Sequence, residues 1–333
     1  MLEVGDDTVT LASTPEARLP GRYALWVGEE LLRLGQPVSS TSLTVEREID
    51  AEGRRMLQGV TDVAFSGYWL SEPEQLGLPV EEVNVATEHG PAPAWVLGEQ
   101  TGATWSVHIH GRATTRREVL RGIRPFAERG IPSIALSYRN DGEAPRSKDG
   151  RYRLGLDEWE DVDAAIDLAV SRGAERIVVF GWSMGGAIAL KLARKSRHRR
   201  RIAALVLDSP VARWEPTLRL QTGALGLPEA LVHSATRILE SQFMRLRGSE
   251  ALRFGDVDAV RHAGAYVTPM LLLHSEDDGY VPPDASRELA QARPDLVEYI
   301  EWKDALHTKL WNFDPERYER EIGGFLDRHG LAG

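Results

Sequence analysis

From about residue 80 to the carboxyl end, short β-branched runs alternate with stretches whose apolar residues recur every three to four positions. That alternation predicts a largely parallel sheet with helices on both faces. The runs Glu82 to Val85, Ala94 to Leu97, Trp105 to Ile109, Ser133 to Ser137, Arg176 to Phe180, Ala203 to Asp208, Pro269 to His274 and Glu298 to Glu301 predict eight strands. Val119, Leu120, Ile123, Phe126 and Ala127 fall on one helical face, as do Trp159, Val162, Ala165, Ile166 and Ala169. Ile188 to Ala193, Asp284 to Ala292 and Pro315 to Arg328 predict three more helices, the last two begun by an Asp suited to an N-cap.

Two regions break the alternation. Residues 1 to 75 mix strand-like pieces, Tyr23 to Val27 and Leu43 to Ile49, with turns, and are expected to form an accessory segment packed on the core, leaving residues 76 to 333 as the main domain. Residues 211 to 265 interrupt the strand spacing and carry Trp214, Phe243, Met244 and Phe254 at roughly helical intervals, the pattern of a helical cap.

The strand Ile177 to Phe180 runs into Gly181-Trp182-Ser183-Met184-Gly185-Gly186 and then an apolar helical run. A G-x-S-x-G sequence between a strand and a helix is a sharp turn that lifts a serine oxygen above a sheet, with glycines where side chains would collide with the flanking elements. A serine hydroxyl is a weak nucleophile near neutral pH and needs a base, itself oriented by a carboxylate. Two loops that follow strands supply candidates: Ser275-Glu276-Asp277-Asp278-Gly279-Tyr280-Val281-Pro282, and Lys303-Asp304-Ala305-Leu306-His307-Thr308. The chain order is serine, acid, histidine.

In these features the sequence resembles the α/β-hydrolase superfamily over roughly residues 80 to 330: the turn at Ser183, D-x-x-V-P at Asp278, and a histidine loop before the final helix at His307. The resemblance is to its serine-esterase, prolyl-oligopeptidase-like and serine-aminopeptidase-like members. It implies an α/β-hydrolase fold with a helical cap, and selects Asp278 over Asp277, Glu276 and Asp304 because the family's acid precedes the Val-Pro pair at this spacing. His110-Gly111-Arg112 resembles the turn that supplies an oxyanion donor, so the N–H groups of Arg112 and Met184 are the expected pair. The Arg112 side chain is expected to pair with a nearby loop rather than with substrate. His108, His110 and His274 are expected to be structural, and His89, His198, His233, His262 and His329 to be surface or cap residues. Trp182 and Trp214 are candidate walls of a substrate pocket for an apolar acyl or aryl ester.

The implied activity is hydrolysis of a carboxylic ester through an acyl-enzyme, with no metal or organic cofactor. A peptidase, thioesterase or acyltransferase would use the same residues, and a haloperoxidase-like role keeps them too. A small cap argues against an oligopeptidase with a large gating domain. A non-catalytic binding protein on the same fold is the remaining alternative, disfavoured because serine, acid, histidine and both oxyanion loops are all present.

Composition trims the field further. Fifty acidic against forty basic residues give a net charge of -10, so no diffuse positive field exists to hold nucleic acid or an anionic bilayer. Lys191, Arg194, Lys195, Arg197 and Arg199 to Arg201 crowd the end of the helix after Ser183, where cations complement its dipole. The absence of cysteine removes disulfides, thiolate metal sites and a cysteine nucleophile. The opening MLEVGDDTVTLAS is acidic and lacks an apolar export core, and no run approaches 18 apolar residues. A small-molecule substrate, a cytoplasmic location and no membrane insertion are therefore expected.

Overall fold

The computed structural model describes residues 3–224 and 251–333. The amino-terminal part holds β1 (Glu3–Val4), β2 (Thr8–Ala12), β3 (Tyr23–Val27), β4 (Glu30–Leu34), β5 (Pro37–Ser40), β6 (Thr44–Glu48) and β7 (Ala64–Ser66). They pair antiparallel in two sheets, ordered β1-β2-β6-β5 and β4-β3-β7. Alternation along the strands turns Val9, Leu11, Leu25, Leu32, Leu34 and Val45 into a small core of their own. Arg47 is buried beside it, and its guanidinium donates to the carbonyls of Ala17, Leu19, Gly21 and Gly35 at 2.7–3.1 Å. Those bonds satisfy a charge that burial would otherwise strand, and they hold the turn after the short helix Pro15–Arg18 in place.

This part docks on the short helix Leu310–Phe313 that follows the last strand of the main sheet. The Arg22 N–H donates to Asn312 O at 2.8 Å, and Asn312 Nδ2 donates to Gly67 O at 2.8 Å. Gly21 has φ +115°, and a Cβ there would strike the Asn312 carbonyl, so glycine is what permits the approach.

The main sheet contains β8 (Val80–Thr87), β9 (Gly90–Leu97), β10 (Thr104–Ile109), β11 (Ser133–Leu136), β12 (Arg176–Trp182), β13 (Ile202–Asp208), β14 (Met270–Ser275) and β15 (Val297–Trp302). Their order is β8-β9-β11-β10-β12-β13-β14-β15, parallel except where β9 meets β8 and β11. These are the eight strands the hydrophobic pattern predicts, with most ends extended and two, at Ser137 and Pro269, one residue shorter than expected. β12 lies inside the sheet, where Ile177 and Val179 face one layer of helices and Val178, Phe180 and Trp182 the other. The first layer includes Trp159–Ser171 and Met184–Lys195, the second Pro315–Arg328.

The helical pattern at 119 to 127 resolves differently from expectation. A 3-10 run, Arg116–Gly122, is followed by a short helix, Arg124–Ala127. Pro125 has no N–H to continue a ladder, and Gly122 is pressed against the Trp182 ring, 2.6 Å from where its Cβ would stand. Asp314 caps its helix as expected, whereas Asp284 lies one residue inside its own, after Pro283. In the cap region, the helix Trp214–Ala224 and the 3-10 turns Phe254–Val257 and Ala263–Ala265 are observed; residues 225–250, with Phe243, Met244 and His233, lie outside the described residues.

Candidate active site

Ser183 stands at the end of β12 with φ 53° and ψ -116°, a strained conformation for a residue with a side chain. Three glycines make that turn possible. A Cβ on Gly181 would strike the Gly185 carbonyl, one on Gly185 the Ile109 carbonyl of β10, and one on Gly186 would come within 2.5 Å of Pro210 Cβ. The Ser183 N–H donates to Asp208 O at 3.0 Å, which ties the turn to the end of β13.

The structure brings Ser183, His307 and Asp278 into one hydrogen-bonded chain. His307 Nδ1 donates to Asp278 Oδ2 at 2.7 Å, which leaves Nε2 to accept from the Ser183 hydroxyl at 2.9 Å. The other carboxylate oxygen of Asp278 accepts the N–H groups of Tyr280 at 2.9 Å and Val281 at 2.8 Å. Burial opposes ionisation of Asp278, but the charges and hydrogen bonds of His307 and His274 outweigh it and hold the carboxyl well below the usual range. The neighbouring carboxylates are engaged elsewhere: Asp277 accepts the Asp304 N–H at 2.7 Å, and Glu276 pairs with Lys303 at 3.1 Å.

The loop after β10 lies against the serine; a Cβ on Gly111 would stand 3.3 Å from Ser183 Cβ. Glu118 Oε2 accepts the Gly111 N–H at 3.0 Å and the Thr114 hydroxyl at 2.8 Å, and the Tyr138 hydroxyl donates to the carbonyls of His110 and Gly111. With the Gly111 donor taken, Arg112 follows it in the turn, and both Arg112 and Met184 line the cavity; Met184 is the first residue of its helix and so has no acceptor one turn back. His110 stacks on Tyr138 and bonds Gly111 O and Asp141, while His108 is sealed among Phe126, Phe180 and Trp182. His198 and His329 pair with Asp167 and Glu298.

Among the described residues, the Arg112 side chain meets no carboxylate. Its Nη2 donates to the Tyr280 hydroxyl at 2.9 Å, spanning from the loop after β10 to the acidic loop. Trp182 is a correction to the expected walls: it follows Val178 and Phe180 on their face of β12, stacks on Phe180 at 3.6 Å between centroids, and is buried away from the serine. Trp214 does line the site, its Nε1 fixed to Leu154 O at 2.9 Å.

Ser183 and His307 open on a cavity of about 830 Å³. Met184, Val211, Trp214 and Leu306 give it an apolar side. Thr14, Pro15, Glu16 and Phe65 of the amino-terminal part, with Glu118 and Lys309, complete it. Nothing in the sequence pattern points to those amino-terminal residues, because their place depends on tertiary docking. His274 was open to recognition as a histidine closing β14 just before the acidic loop.

Residues 107–321 match the family model described as "Alpha/beta hydrolase family". The chain belongs to the alpha/beta hydrolase family. Residues 1–66 match a second model, a domain of unknown function, DUF8805. Among curated proteins, the lysophosphatidylserine lipase ABHD12 of Danio rerio is 24% identical over 228 residues, covering 63% of this chain and 56% of its own length. The protein of the same name from Macaca fascicularis is 23% identical, covering 66% of this chain and 58% of its own. The chain thus spans little more than half the length of these relatives. Among solved structures, the Pyrococcus furiosus esterase Pf2001 superposes with a TM-score of 0.60 at 20% identity, covering 78% of this chain and 96% of that one. A Burkholderia cenocepacia putative aryl esterase superposes at 0.53 and 20% identity, covering 75% and 99%. These likenesses establish the alpha/beta hydrolase fold. Among the described residues, no helix is long and apolar enough to cross a membrane.

Proposed function

We propose that this alpha/beta hydrolase cleaves carboxylic esters, with Ser183 as nucleophile, His307 as general base and acid, and Asp278 as the carboxylate that orients the imidazole and stabilises its cation. The observation that carries the reading is the unbroken pair of hydrogen bonds, Ser183 to His307 at 2.9 Å and His307 to Asp278 at 2.7 Å, at the wall of a cavity of about 830 Å³. As Ser183 Oγ bonds to the ester carbon, its proton passes to His307 Nε2, and negative charge collects on the former carbonyl oxygen. The Met184 and Arg112 N–H groups receive that charge. The carbon–oxygen bond to the alcohol then breaks, and His307 returns the proton to the departing alcohol. Water repeats the cycle on the acyl-enzyme and frees Ser183.

The apolar side formed by Met184, Val211, Trp214 and Leu306 suits an acyl or aryl group. In this reading residues 1–75 are an accessory segment whose Thr14, Pro15, Glu16 and Phe65 complete the cavity wall. The test is the initial rate of p-nitrophenol release from an acyl-ester series of rising chain length, for wild type and Ser183→Ala together, with peptide arylamides alongside. Serine-dependent ester turnover with a length optimum supports the reading. Serine-dependent turnover of arylamides alone would replace it with a peptidase.

A further inference from the structure

Lys309 extends from the loop after β15 over Gly67, and the fit there is close. A Cβ at position 67 would stand 2.5 Å from Lys309 Cε and 3.0 Å from its Nζ, so the lysine lies directly against the glycine. The side chain lines the same cavity as Ser183 and His307. Among the described residues, no carboxylate lies within ion-pair distance of its ammonium and no hydrogen-bond acceptor holds it. Glu118, the acid that pulls on it most strongly, is already occupied by the Gly111 N–H, the Thr114 hydroxyl and Arg121, whose Nη2 lies 3.6 Å from it. Burial and the charge of Arg121 push the Lys309 ammonium towards losing its proton, against the weaker pull of Glu118, Glu16 and Asp208. Arg112, a second cation that has no carboxylate partner among the described residues, lines the cavity as well. Glu16, from the amino-terminal wall, and Glu118 are the acids that line the cavity with them.

A half-buried cation without a direct anionic partner carries a desolvation cost, and a ligand anion relieves that cost when it binds. We propose that the ester taken by this cavity carries an anionic group, a carboxylate or a phosphate, which Lys309 holds with Arg112 as the outer cation. The inference rests on the ester reading for the reacting bond, but the anion subsite has its own signature. Lys309 contributes charge and binding geometry rather than chemistry, so its removal acts on the choice between charged and neutral substrates.

The experiment compares kcat/KM for matched pairs: mono-p-nitrophenyl glutarate with its methyl ester, 4-acetoxybenzoate with its methyl ester, and 4-acetoxyphenyl phosphate with 4-acetoxyanisole. The pairs place the anion on the acyl or the alcohol side and separate carboxylate from phosphate. In the wild type at least one anionic member should exceed its neutral partner about tenfold, worth roughly 1.4 kcal/mol. Lys309→Met should collapse that ratio about tenfold, and Lys309→Arg, which keeps the charge, should retain most of it. In parallel, Ser183→Ala is titrated by calorimetry with glutarate monoalkyl ester and with phenyl phosphate, with and without Lys309→Met. Lys309-dependent anion binding with no ester turnover by the wild type would sink the ester reading and leave the subsite standing. Equal ratios in wild type and Lys309→Met, together with no Lys309-dependent anion binding, would overturn the subsite even if every neutral ester is cleaved.

Discussion

His274 and His307 donate to the same oxygen, Asp278 Oδ2, at 3.2 and 2.7 Å. The tautomer of His274 follows from its partners. Its Nε2 faces two acceptors, Asp278 and Val281 O, so it carries the proton, and its Nδ1 accepts from the Ser286 hydroxyl at 2.9 Å. His274 is therefore a positioning residue that fixes the carboxylate from behind while His307 uses it from the front.

Replacing His274 with Leu removes one hydrogen bond to an ionised group, about 1.5 kcal/mol. If that bond serves to hold Asp278 in line, kcat on a good ester should fall about tenfold with KM little changed. The change should also raise the Asp278 pKa. A carboxylate depressed in the folded state adds stability above its unfolded value that is lost as pH falls through the folded one, so the variant should lose stability at a higher pH on acidification. A purely structural role would lower the melting temperature while leaving kcat of the folded protein intact.

The glycines of the Ser183 turn are expected to be intolerant of any side chain. Gly185→Ala sets a methyl group against the Ile109 carbonyl of a buried strand, where neither partner has room to move. Destabilisation of about 3 kcal/mol or more is expected by urea titration. A well-folded Gly185→Ala protein of wild-type stability would show that the turn is looser than described.

Trp182 and Trp214 should separate cleanly on substitution. Trp182→Ala empties a core site beneath the sheet and should cost about 3–5 kcal/mol of stability. Trp214→Ala opens the cavity beside Met184 and should shift the chain-length optimum of ester hydrolysis towards longer or bulkier acyl groups. A shift in chain-length preference from Trp182→Ala instead would contradict the placement of its ring.

Acid stability should depend on His108. Burial pushes this imidazole down from 6.5 to about 3. Below pH 6.5 the unfolded chain takes up a proton that the folded protein refuses, so stability falls as pH drops from 6.5 towards 3 and is unaffected above that window. His108→Leu should flatten the slope of melting temperature against pH within it. The Ser106 hydroxyl left behind keeps Ser133 Oγ at 2.8 Å.

The strands and the turn at Ser183 were legible in the sequence because each is written locally. β10, β12 and β13 are apolar runs bounded by turn residues, and the glycines around Ser183 answer to collisions within one strand-turn-helix unit. The direction of Trp182 was legible too, since Val178, Phe180 and Trp182 share a parity that sends all three to one face. What the pattern does not encode is docking over long separations. Thr14 and Phe65 reach the cavity because Arg22, Gly67 and Asn312 meet across nearly the whole chain, and Lys309 is an ordinary loop lysine until Gly67 lies beneath it.

The most direct test of the account is the intact mass of the protein after incubation with a fluorophosphonate, followed by mapping of the labelled peptide. One adduct on the peptide containing Ser183 is expected, absent from Ser183→Ala and formed at least a hundredfold more slowly in His307→Ala. Modification at another serine, or an unlabelled wild-type protein, would contradict the assignment of Ser183 as an activated nucleophile.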